Sequence, residues 1–111
     1  MLHPTPEMLA AAYELLRATP PLRGWRLPPA DEVEFRVTRT RHQGAFNPPA
    51  TISISAKRVA TLDRLIVVMA HEMVHLHEHV TGCPGDAEHG HVFRRMAAQV
   101  CRYHLFDPKE F

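Results

Sequence analysis

Residues 61 to 80, TLDRLIVVMAHEMVHLHEHV, constrain the fold more than any other stretch of the chain. At about 100° per residue, Leu62, Leu65, Ile66, Met73, Leu76 and Val80 lie within about 60° of Met69, forming one apolar stripe. Val67, Val68 and Val74 fall outside it, and Gly82 is placed to end the helix. A helix that is apolar on more than one side is buried on more than one side. The spacing therefore predicts the central helix of the domain.

The flanking segments read as its packing partners. Thr5-Pro6-Glu7 is a helix start, with a capping hydroxyl, proline at the first helical position and an acid in the first turn. Met8, Leu9, Ala12, Leu15 and Leu16 continue it to about Ala18, and Pro20-Pro21 ends it. Val33, Phe35 and Val37 alternate with Glu34, Arg36 and Thr38, the period of a half-buried strand. Ile52 and Ile54 alternate with Ser53 and Ser55 as a second strand, after a turn at Asn47-Pro48-Pro49. A last helix spans residues 86 to 104, with Asp86 as N-cap. With His89 at zero on that helix, Phe93, Met96, Val100 and Tyr103 share its inward face, and His104 also turns inward. The expected fold class is α+β, in a single domain over residues 1–111. A small antiparallel sheet packs on the central helix, between an N-terminal and a C-terminal helix.

Composition narrows the function. The longest unbroken apolar run, LIVVMA at residues 65 to 70, is far too short to span a bilayer. Cys83 and Cys101 form no C-x-x-C pair, which excludes a zinc ribbon and a disulfide framework. An intracellular, monomeric protein without membrane attachment is the default expectation. Net charge is +1 but unevenly spread: residues 1 to 60 hold eight Lys/Arg against five Asp/Glu, and residues 61 to 111 five against seven. No acidic residue lies between Phe35 and Leu62, while Arg36, Arg39, Arg41, Lys57 and Arg58 are basic. That bias suits either an electrostatic footprint for DNA or an ordinary solvated strand face.

The central helix carries H-E-x-x-H as His71, Glu72 and His75. One turn separates the two histidines, about 6 Å along the axis and 40° around it, so both imidazoles can reach one Zn²⁺. Glu72 lies beside them, where a carboxylate serves as acid or base without being a ligand. His79 is about 12 Å of axis from His71, too far to share an ion with it, and His77 points elsewhere; both are expected in solvent. A catalytic zinc takes three protein ligands, so the third comes from another segment. A short reversal after the central helix brings His89 back beside the first two, with His91 turned outward. Glu88 and Asp86 are the alternatives for the third place.

The order of ISIS, a helix with HEMVH, and HGHVF opening another helix resembles the SprT-like zinc metalloprotease domain, the family that includes Spartan, over roughly residues 33 to 104. The likeness is to a compact form without a C-terminal zinc ribbon. It implies His71, His75 and His89 as zinc ligands and Glu72 as the catalytic acid/base. Gly90 and Phe93 match the glycine and phenylalanine of the family's third-histidine motif. Glu88, His91 and Val92 depart from it, standing where the family has Gly, Pro and Glu.

The expected function is a zinc-dependent endopeptidase acting on a protein or peptide. The resemblance extends this to proteins associated with DNA, bound through Arg36, Arg39, Arg41, Lys57 and Arg58. The competing expectation is a non-catalytic module in which zinc is a structural staple and the basic sheet binds nucleic acid or a partner. Glu72 separates the two, because a structural site has no use for an acid beside an open coordination position. A metal-dependent hydrolase acting on a non-peptide bond would use the same ligands.

Overall fold

A computed structural model describes residues 1–82 and 89–111 of the chain. Helix α1 spans Pro6–Arg17, and the Thr5 hydroxyl accepts the Met8 N–H at its start. Three strands follow, β1 (Glu34–Thr38), β2 (Gly44–Asn47) and β3 (Thr51–Ser55). Helix α2 covers Leu62–Thr81, capped by the Thr61 hydroxyl and closed by Gly82, whose φ of 68° is the left-handed conformation that favours glycine. Helix α3 covers His91–His104. The α+β class expected from the patterning is the class observed.

Helix α2 packs against α1, α3, β2 and β3, which is why apolar residues surround so much of it. Leu65, Val68, Met69, Met73, Val74 and Leu76 are buried. Leu62 and Val80, at the two ends of the same stripe, are exposed. From α1 the core receives Leu9, Ala12, Tyr13 and Leu16. The Tyr13 hydroxyl donates to the Pro28 carbonyl, which fastens the proline loop to the helix.

The sheet departs from expectation. Its order is β1-β3-β2, with β3 parallel to β1 and antiparallel to β2, so it is mixed and not antiparallel. The difference is β2, a strand that its sequence GAFN conceals, since glycine and alanine are poor strand formers. Between β1 and β3 in the chain, it runs antiparallel to β3 at the far edge of the sheet, so β3 returns in the direction of β1. As the central strand β3 is covered on both faces, and Ser53 and Ser55 are buried with Ile52 and Ile54. The Ser55 hydroxyl meets burial by donating to the Thr40 carbonyl.

The start of the last helix also moves. Gly90 is its N-cap, so the helix begins at His91, and His89 sits in the turn before it. Asp86, the expected cap, lies outside the described residues. Phe93, Met96 and Val100 are buried as the periodicity predicts, but Tyr103 is exposed and His104 only half-buried, because it is His104 that turns toward Thr19 and Phe106.

Candidate metal centre

Local helix geometry sets the first part of the site. His71 and His75 lie on one face of α2 with ring centroids 5.1 Å apart, and Glu72 between them is buried at 5% exposure. His89 comes back from the segment before α3. Its Nε2 stands 3.1 Å from Nε2 of His71, and its ring lies 5.1 Å from that of His75. One ligand atom from each of the three lies within 4.8 Å of the others. Two nitrogens bound tetrahedrally to one zinc at about 2.0–2.1 Å lie about 3.3 Å apart, so the spacing fits such an ion. Nε2 of His75 is buried with no hydrogen-bond partner, which a metal would satisfy. The donor set of three imidazoles suits a borderline-soft divalent metal.

Phe93 joins the three rings. It is buried in the first turn of α3, with its ring 4.9 Å from His71, 4.5 Å from His75 and 4.7 Å from His89. Packing α3 on α2 thus sets the ligand geometry as well as the core. Behind the rings, the Phe111 main-chain oxygen lies 2.9 Å from Nδ1 of His71, and Oε1 of Glu78 lies 3.5 Å from Nδ1 of His75. Burial, and then the neighbouring His71 and His89, push the His75 pKa down to about 4. The imidazole is therefore neutral at pH 7, as a metal ligand must be.

On the sheet side, Gly44 of β2 presses on the acid. A β-carbon there would lie 2.8 Å from Cγ1 of Val68, 3.0 Å from Oε2 of Glu72 and 3.1 Å from the Ser53 carbonyl. The missing side chain is what lets β2 pass this close to α2. Two cavities meet at His71, His89 and Phe111. One, of about 1000 Å³, is bounded mainly by Phe93, Ala97, Cys101, Leu105 and Phe106. The other, of about 520 Å³, is bounded by Glu72 and by Gly44, Ala45 and Phe46 of β2.

A family model described as the SprT-like family matches residues 21–109. The chain belongs to the SprT-like family. No curated protein and no solved structure gives a match. The matched span of the SprT-like chain includes His71, Glu72, His75 and His89, and extends beyond the motifs to the Trp25 loop and the C-terminal segment.

The remaining polar residues divide. His79 is exposed and His91 is exposed, both as expected. His77 is a correction: it is half-buried, stacked on Trp25 with centroids 4.6 Å apart, because the proline loop folds over that side of α2. Glu88 and Asp86, the alternative third ligands, lie outside the described residues. Arg36 pairs with Glu34 at 3.0 Å. Arg39, Arg41, Lys57 and Arg58 are exposed, and Nη1 of Arg58 donates to the Arg41 carbonyl at 2.9 Å, which ties their two loops together. Among the described residues no helix is long and apolar enough to cross a membrane. Sequence reasoning missed Gly44, Glu78 and Phe111. Only Glu78 left a local signal, standing three residues after a ligand on the same helix.

Proposed function

We propose that this SprT-like chain is a zinc-dependent endopeptidase, with His71, His75 and His89 holding the metal and Glu72 acting as general base. One observation carries the reading: three convergent imidazoles lie next to a buried carboxylate, at the junction of two cavities. When bound, zinc supplies a Lewis acid that makes water a nucleophile near neutral pH and polarises a peptide carbonyl. The Glu72 carboxylate takes the proton of the attacking water and delivers it to the leaving amine. Its place against Gly44 holds it on the sheet side of the histidines. Strand β2 is an edge of the sheet and lines the smaller cavity, so an extended peptide can align along it by main-chain hydrogen bonds. A purely structural zinc site offers no reason to bury a carboxylate beside its ligands.

The reading includes DNA as a partner, held through Arg39, Arg41, Lys57 and Arg58 at one end of the sheet. Arg36 contributes less, since Glu34 neutralises it. The deciding experiment is metal analysis joined to casein and self-cleavage assays, with and without DNA, on the wild type and Glu72→Gln. Cleavage by the zinc-loaded wild type and its loss in Glu72→Gln at equal zinc content is the expected result. A wild type that holds zinc and cleaves nothing under either condition would leave the non-catalytic module.

A further inference from the structure

We propose that Glu78 is a positioning residue for the metal centre, its carboxylate accepting the Nδ1 proton of His75 so that Nε2 presents its lone pair to the metal. The inference rests on the reading of the three histidines as a metal site and is independent of peptidase activity. Side chains of His75 and Glu78 are 11% and 13% exposed, and Nδ1 and Oε1 are 3.5 Å apart, an ion-pair contact a few tenths of an ångström longer than a formed hydrogen bond. On the opposite side of the ring, Nε2 is buried without a partner. An imidazole with a carboxylate near one nitrogen and a buried, unpartnered second nitrogen, in a ring packed against two other imidazoles, has its tautomer chosen for it.

Partial burial of the acid is the second argument. Carboxylates are seldom buried unless something nearby compensates for lost water. A solvated helix face would place an acid where water reaches it, and α2 does not do so here. His71 repeats the arrangement with different chemistry. Its Nδ1 meets the Phe111 main-chain oxygen at 2.9 Å, while its Nε2 faces His89. Two ligands thus have an oxygen behind the ring and the cluster in front of it. Such outer partners orient a ligand and raise its basicity, and losing one typically weakens metal binding by about 10- to 100-fold.

The test measures zinc affinity by competition with a chromophoric chelator in the wild type, Glu78→Gln and Glu78→Ala. It is joined to cobalt(II) absorption spectra and to imidazole ¹⁵N shifts of the metal-free proteins. Glu78→Ala should bind zinc about 10- to 100-fold more weakly and keep the cobalt spectrum of the wild type. Glu78→Gln, which still offers an oxygen but no charge, should lose about three- to tenfold. In the metal-free wild type the His75 proton should reside on Nδ1, and in Glu78→Ala it should move toward Nε2. Affinity within twofold of wild type in both variants would overturn the proposal, as would an unchanged tautomer. A cobalt spectrum showing a lost ligand would make Glu78 part of the coordination shell, which also overturns it. Should Glu78→Ala fail to fold, Glu78→Gln carries the same measurements. A wild type that binds no zinc while Glu78 still sets the tautomer would refute the metal reading and not the contact.

Discussion

Gly44 and Glu72 touch across the gap between the sheet and the central helix: a β-carbon on Gly44 would stand 3.0 Å from Oε2 of the acid. The same β-carbon would also strike Cγ1 of Val68 and the Ser53 carbonyl, which leaves the carboxylate end of Glu72 as the part most able to move. The close approach of the edge strand thus sets where the acid sits.

Gly44→Ala should consequently displace Glu72 more than it disturbs the histidines. Cleavage of a peptide substrate should fall by about 10- to 100-fold, less than the roughly 10²- to 10⁴-fold expected when a general base is removed. Overpacking should also destabilise the fold by about 1–3 kcal/mol. Zinc content, read by metal analysis, should stay near one per chain. An unchanged kcat at a temperature well below the melting transition would refute the positional role of the glycine.

His89 and His91 flank the Gly90 cap and are both exposed, but only His89 lies in the imidazole cluster. His89→Ala should lose most of the zinc, because two imidazoles remain where three are needed. His91 lies on the exposed side of α3, and His91→Ala should keep it. Equal zinc in the two purified variants would remove His89 from the site.

The depressed pKa of His75 sets a pH dependence for the metal-free protein. Between its ordinary 6.5 and about 4, the unfolded chain takes up a proton that the folded imidazole refuses. Its contribution to stability is fully present above pH 6.5 and is lost as pH falls toward 4. Burial lowers His77 and His104 as well, so they act in the same direction. Denaturant midpoints taken at pH 7, 5.5 and 4.5 should fall more steeply with pH in the metal-free wild type than in His75→Leu. Parallel curves would mean that His75 titrates alike in both states.

For DNA, Arg39 and Arg41 are the residues to neutralise first, since both are exposed on the loop between β1 and β2. If they contact phosphates, replacing both with glutamine should weaken binding to all sequences alike. The slope of log affinity against log salt should fall by roughly two. Glu72→Gln should leave that binding unchanged, since it lies on another element. A wild type that binds neither single- nor double-stranded DNA at low salt would leave a peptidase without a nucleic-acid partner.

The sequence by itself determined whatever depends on the helical repeat. Thr61 and Gly82 bound α2, Thr5 and Pro6 open α1, and His71, Glu72 and His75 fall one turn apart because the backbone places them there. The buried run of Phe93, Met96 and Val100 was legible for the same reason. Tertiary structure decided what depends on segments meeting from afar. Strand β2 exists because β3 offers it a ladder and α2 a surface, neither of which GAFN encodes. His77 is half-buried because Trp25 folds over it, and Tyr103 is exposed while its neighbour His104 packs on Phe106 and meets Thr19. His89 meets His71 across eighteen residues only when α3 packs on α2. A helix carries its own hydrogen bonds and so states its geometry locally, whereas a strand, a covering loop and a third ligand acquire theirs from partners that only the folded chain supplies.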